Sequence, residues 1–422
     1  MTFKKTILPN GLRIITVPMK GNPAVTVLVL AQAGSKYETK DISGLSHFLE
    51  HMCFKGTLRR PHAIDISREL DSIGAQYNAF TSQEYTGYYV KSHSKHLTKI
   101  LDVISDMYLN PIFDEKEIQK EKGVIIEEIN MYEDTPQRHV WDVFNELVYG
   151  DQPAGWNIAG TKEIVSKMTR DDFIKYRAKH YVAKGTTVIV AGDIEEDEVS
   201  KNIADLFKIE DNEKHQKVAV KEKQEKPQLS VVDKKTDQVH LVLGVRTFGV
   251  NHPDQPILRV LCAVLGGGMS GRLFQKLRDE MGVGYYARAS IDDYTDHGLL
   301  VVSTGVDTKR VKEVVTAILD EFKKFITTEV PAPELEKAKE YLLGSLYLDL
   351  ETSDAVASFF GMQDILQDKI NTPEDISLKI NAVTAQDIKR LAGEIFKDKS
   401  LNAAFIGHCD REDLASALTL NT

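Results

Sequence analysis

Two stretches of this chain repeat at a fixed distance. Thr169-Arg170-Asp171-Asp172-Phe173 lines up with Thr384-Ala385-Gln386-Asp387-Ile388. At the same offset of 215 residues (384 minus 169), Tyr181 meets Phe396 and Gly192 meets Gly407. An offset that holds across a helix-like run and the strand-like run after it marks a duplicated supersecondary unit. The length agrees. The chain has 422 residues, too many for one ordinary core and suited to two domains of roughly 200 residues each. The expected fold is α+β, with two structurally repeated domains, each a mainly antiparallel sheet packed with helices.

Local signals fill in the first copy. Asn10-Gly11 is a hairpin signal between two strand-like runs. A buried strand is expected from Val25 to Leu30, and paired strands over Asn78–Thr81 and Tyr85–Val90. A helix is expected from near Asp114, where Asp114 and Glu117 read as an N-cap and its capping-box partner. A helix over Arg170–His180 and an apolar strand over Thr187–Ala191 close the first half. The stretch from Glu210 to Gln228 is different. Lys214, Lys217, Lys221, Glu222, Lys223, Glu225 and Lys226 crowd it, with few apolar residues between them. That composition suits a solvated linker or, in part, a charged surface helix. The expected division is 1–212, a linker over 213–228, and 229–422.

His47-Phe48-Leu49-Glu50-His51 reads H-x-x-E-H, and only the first copy carries it. Histidines four apart project from one helix face, close enough to bind one metal ion. Glu50 lies between them, placed to take a proton from metal-bound water. A histidine pair alone is usually a solvated surface feature. Here Leu45, Leu49, Met52 and Cys53 make the helix largely apolar, so its polar groups need a partner. His93 and His96 sit among Lys91, Ser92, Ser94 and Lys95, and read as solvated surface.

Zinc needs a further protein donor and one position left open. Glu121, Glu127 and Glu128 supply candidates on the second helix. Glu121 and Glu128 are two turns apart and share a face, whereas Glu127 points about 100° away from Glu128. Ile118, Ile125, Ile129 and Tyr132 form a separate stripe. Glu128 is therefore the expected third ligand and Glu121 a supporting carboxylate; on composition alone Glu127 is as plausible as Glu128. One Zn2+ per chain follows, although nitrogen and oxygen donors also accept Co2+ or Mn2+. Zinc lowers the pKa of bound water to around 7. Glu50 would accept the proton and return it to a leaving amine, making amide hydrolysis the expected chemistry.

With these residues in place, the chain resembles the pitrilysin and mitochondrial processing peptidase family of zinc peptidases, the inverzincins, as a short two-domain bacterial-type member. The likeness covers nearly the whole length. It rests on His47-Phe48-Leu49-Glu50-His51 and on Glu121-Lys122-Gly123-Val124-Ile125-Ile126-Glu127-Glu128. It implies zinc ligands at His47, His51 and Glu128, a base at Glu50 and a supporting carboxylate at Glu121, in a catalytic domain over 1–212. The segment Gln76-Tyr77-Asn78-Ala79-Phe80-Thr81 is similar to the family's edge strand, onto which a peptide adds as an extra strand. That makes Asn78, Ala79 and Phe80 substrate-binding candidates. Leu277 to Tyr285 resembles the family's substrate-contacting segment. Arg278 would bind a substrate carbonyl or carboxylate, and Tyr285 an oxyanion, from a non-metal domain over 229–422. Large family members carry four such domains, and this chain has room for two. The resemblance therefore implies a homodimer enclosing a chamber, with a zinc metalloendopeptidase acting on unfolded peptides or presequence-like segments. The alternative is a non-catalytic peptide-binding or structural homologue, which the intact His47, Glu50, His51 and Glu128 set argues against.

Bulk properties narrow the partners. A net charge of −10 argues against nucleic acid. Cys53, Cys262 and Cys409 are too few and scattered for a disulfide framework, which suits a cytoplasmic setting. The N-terminus reaches a Pro-Asn-Gly turn before any long apolar run, so no signal peptide and no membrane partner are expected. Gly266-Gly267-Gly268 lacks a following Lys-Ser/Thr, so it is not a phosphate loop.

Overall fold

A computed structural model describes residues 1–284 and 286–420. Its first sheet contains β1 (Lys4–Ile7), β2 (Arg13–Pro18), β3 (Ala24–Ala31), β4 (Gln76–Thr81), β5 (Thr86–His93) and β6 (Thr186–Gly192), in the order β1-β2-β6-β3-β5-β4. The second sheet contains β7 (Gln228–Val232), β8 (Val239–Thr247), β9 (Ala287–Asp293), β10 (Gly298–Val306) and β11 (Leu401–Ile406), in the order β7-β11-β8-β10-β9. Setting β1 aside, the two orders are the same. Each sheet has one parallel pair, β2 with β6 and β11 with β7, and is antiparallel elsewhere.

The repeat noted in the sequence recurs as local structure. Thr169 and Thr384 each open a helix with a capping box, closed by Asp172 and Asp387. Tyr181 and Phe396 cap the ends of those helices. Gly192 and Gly407 follow with φ of 152° and 135°. A side chain at Gly192 would lie 2.8 Å from the Ala24 carbonyl oxygen, and one at Gly407 would lie 3.0 Å from Val239. Both glycines are required by positive φ and by close backbone approach.

The compact units are not contiguous in sequence. One comprises residues 1–130, 156–218 and 348–372; the other comprises 131–155, 219–347 and 373–422. A division at 1–212, 213–228 and 229–422 follows chain order but not this exchange, and the expected linker is itself split between the units. The exchange has a physical cause. In each sheet an inner strand, β6 (TTVIVAG) in the first and β11 (LNAAFI) in the second, is buried along its whole length, so each sheet needs cover on two sides.

In the first unit that cover includes the helix Ser353–Leu366. Gly361 lets it approach until a Cβ would sit 2.9 Å from Leu30 and Ile189. Asp364, its side chain fully buried, pairs with Arg13 Nε at 2.7 Å and Lys5 at 2.6 Å, and accepts from Thr187 at 2.7 Å. In the second unit the helix Pro136–Tyr149 lays Val140, Val143, Phe144 and Val148 against Val242, Leu299, Val301, Ala404 and Ile406.

Candidate metal centre

The helix Leu45–Met52 buries Leu45, Phe48, Leu49 and Met52, a helical stripe on one side. At eight residues it is too short to persist alone, so packing holds it. His47 and His51 project from its other side. The helix Glu115–Asp134 buries Ile118, Ile125 and Ile129 together with Glu121, so Glu121 lies at the margin of the apolar stripe rather than apart from it. Asp114 accepts from the amides of Lys116 and Glu117 at its start.

These two helices bring His47, His51 and Glu128 together. The Nε2 atoms of His47 and His51 lie 3.7 and 3.8 Å from Glu128 Oε2. One ligand atom from each of the three falls within 4.8 Å of the others, the one such group among the described residues. Donors about 2.1 Å from a tetrahedral ion stand about 3.4 Å apart. The trio therefore fits a zinc ion with little movement. Its side chains are 14–22% exposed, which leaves a path for solvent. Glu127 is exposed elsewhere on the helix.

The surroundings orient the donors. Glu121 Oε1 lies 2.8 Å from His51 Nδ1, which leaves Nε2 of that ring facing Glu128. The other Glu121 oxygen pairs with Lys55 at 2.6 Å. Burial would raise the Glu121 pKa, but His51 and Lys55 outweigh it and hold the carboxyl below its usual range. Burial, reinforced by neighbouring His51, pushes His47 down to about 4, so its ring is neutral and its lone pair free for a metal at neutral pH. Burial also opposes charging His51, yet the Glu121 hydrogen bond and the carboxylates of Glu50 and Glu128 raise it. Replacing Glu121 by Gln should weaken zinc binding roughly 10–100-fold, the usual cost of losing an outer carboxylate partner. Chelator competition checks this.

Glu50 is buried beside the trio but outside it. Burial raises its pKa, opposed by a 2.5 Å hydrogen bond from Thr81 Oγ1 and by His51. A raised carboxyl pKa suits a group that takes and returns a proton. Thr81 ends β4, an edge strand paired on one side with β5. On β4 the faces alternate. Tyr77 and Ala79 pack toward the core that includes the metal helix. Phe80 lies on the opposite face, its ring over Gly87, where a Cβ would come within 2.3 Å of it. Asn78 is exposed and accepts from its neighbour's amide. Arg278 belongs to the other compact unit, exposed on the helical turn Gln275–Glu280 and 5.6 Å from the Phe274 ring. Tyr285 lies outside the described residues.

Two neighbours escaped sequence reasoning. Lys55, four residues after His51, lies just past the end of the helix Leu45–Met52, and its tie to Glu121 is made only in the folded chain. Thr81 carried no signal either, because its bond to Glu50 depends on sheet and helix meeting across 31 residues.

Comparison with known proteins agrees with this geometry. A family profile described as "Insulinase (Peptidase family M16)" matches residues 13–162. One described as "Peptidase M16 inactive domain" matches residues 167–342, in the half without H-x-x-E-H. The chain is 36% identical over 407 residues to the uncharacterized zinc protease YmxG of Bacillus subtilis (strain 168), covering 94% of this chain and 96% of that protein. It is 32% identical over 403 residues to an uncharacterized zinc protease of Rickettsia bellii (strain RML369-C), covering 95% and 97%. Among solved structures, a protease from Helicobacter pylori superposes with a TM-score of 0.89 at 25% identity, covering 96% of this chain and 99% of that one. A peptidase M16 inactive domain from Pseudomonas fluorescens shares the fold with a TM-score of 0.90 at 15% identity, covering 96% and 98%. With both halves matched and zinc proteases similar along nearly its whole length, the chain belongs to peptidase family M16, the insulinase family.

Proposed function

We propose that this chain is a zinc metalloendopeptidase that hydrolyses unfolded peptides or presequence-like segments inside a dimeric chamber. The observation that carries it is the Thr81–Glu50 hydrogen bond. It ties an edge strand, on which an extended peptide can pair, to a proton acceptor beside a three-donor metal site. His47, His51 and Glu128 would hold the zinc. When bound, zinc polarises a substrate carbonyl and lowers the pKa of water to about 7. Asn78, Ala79 and Phe80 supply backbone groups that align the peptide. Glu50 accepts the proton of the attacking water and returns it to the leaving amine. Glu121, itself paired with Lys55, would hold the His51 ring with Nε2 on the side of Glu128, where the ion would bind.

A chamber suits this arrangement because strand addition requires an unfolded segment, and enclosure excludes folded proteins by size. Two domains per chain make a homodimer the simplest closure. In that assembly Arg278 and Tyr285 of one protomer would contact peptide held at the zinc of its partner. Mixing Glu50→Gln chains with Arg278→Ala chains tests this. Shared sites predict that hydrolysis of a quenched peptide reappears in the mixture, since one site type is then intact. No recovery, with subunit exchange confirmed, counts against sharing.

A further inference from the structure

The segment just before the metal helix carries a buried carboxylate that the proposed chemistry does not use. Glu38 is 2% exposed. It accepts from the Gly44 amide through Oε2 at 2.8 Å and from the Ser46 amide through Oε1 at 2.6 Å. These amides open the helix Leu45–Met52, whose N-cap is Gly44 in the left-handed region at φ 96°. Gly44 has no side chain to cap the helix, and a Cβ there would lie 2.5 Å from the Ala159 carbonyl oxygen. The cap therefore comes from six residues upstream. The Ser46 hydroxyl is held in turn by Tyr176 at 2.7 Å. His47 follows Ser46 directly.

The same segment also grips the hairpin that carries the edge strand. Lys36, fully buried, pairs with Glu84 at 3.0 Å, and its amide donates to Gln83 at 2.8 Å. Two residues apart, Lys36 and Glu38 fix the β4–β5 hairpin and the metal helix to one short piece of backbone.

We propose that Glu38, as a carboxylate, is a positioning residue of the metal centre, setting the first turn of the metal helix so that His47 meets Glu128. This rests on the metal site proposed above. The carboxylate form matters because both oxygens accept. A protonated acid or an amide keeps one good acceptor and turns a donor toward the other amide. An ionised group at a helix N-terminus is also favoured by the helix dipole. Burial opposes that charge and pushes the Glu38 pKa up to about 7, although the Ser46 hydroxyl and the Ser46 and Gly44 amides pull it down. The groups packed around the cap are Tyr176, Tyr37, His180 and, against His180, His215. Burial holds Tyr176 well above its ordinary value and His180 near 3, so neither changes charge around neutrality.

The test measures zinc affinity of the full chain by chelator competition from pH 5.5 to 8.5, in wild type and Glu38→Gln. Histidine protonation lowers both curves alike at acid pH. The expected result is a ratio of wild-type to variant affinity that rises about tenfold through pH 7. Parallel curves, even with a lowered Tm in the variant, would overturn the role of Glu38. A wild type that binds no zinc would instead overturn the metal site itself. If the variant does not fold, the wild-type Gly44 and Ser46 amide resonances serve. They should titrate together near pH 7 without zinc, with a lower midpoint when zinc is added, as reciprocal linkage requires. Amides that do not move over this range, or a midpoint that zinc leaves unchanged, overturn it equally.

Discussion

Replacing Glu50 by Gln should lower peptide hydrolysis by roughly 10²–10⁴-fold, the usual contribution of a positioned general base, while the chain keeps its zinc. The two halves of this expectation come from different distances. Glu50 is not one of the three donors that converge within 4.8 Å, so removing its charge leaves the ligand set intact. Its contact with Thr81 is a hydrogen bond to one carboxylate oxygen at 2.5 Å, which the Gln carbonyl can still accept. The amide cannot take a proton from water. Turnover of a quenched peptide beside metal analysis of the same samples reads both quantities. Unchanged cleavage would remove Glu50 from its role. Loss of zinc along with activity would show that Glu50 supports the site rather than performing the chemistry.

The second large effect separates two adjacent carboxylates. Glu128→Gln should weaken zinc binding by more than the roughly 10–100-fold that outer-shell partners cost. Glu127→Gln should leave affinity within the error of the measurement. Glu128 Oε2 faces both imidazoles at 3.7 and 3.8 Å, and a neutral amide there offers neither the charge nor the same donor. Glu127 is exposed, about 100° around the helix. Chelator competition on the two variants checks the pair. Equal losses would show that the helix turns on metal binding, and a larger loss for Glu127 would reassign the ligand.

Much of this site is local and therefore readable from the chain. The stripe of Leu45, Phe48, Leu49 and Met52 marks a helix by its spacing, and places His47 and His51 on its other side. Two turns of helix align Glu121 with Glu128. The capping boxes at Thr169 and Thr384 lie within four residues each, so the repeat was visible as spacing. Other features bridge long separations. Glu121 reaches His51 across 70 residues, and Asp364 reaches Arg13 across 351. Glu38 caps a helix from outside it, where the usual N-cap position holds a glycine.

By itself, the sequence determined two copies of one α+β unit, a metal motif in only the first, and the face on which Glu121 and Glu128 would meet it. Those follow from periodicity and capping, which act over a few residues. Tertiary structure decided which helix covers which sheet and which side chains close around the metal helix. An apolar sheet face accepts many amphipathic helices on pattern alone. The choice of 136–149 for one sheet and 353–366 for the other rests on shape and on buried pairing. Gly361 against Leu30 and Asp364 against Arg13 make that choice through contacts between residues hundreds of positions apart.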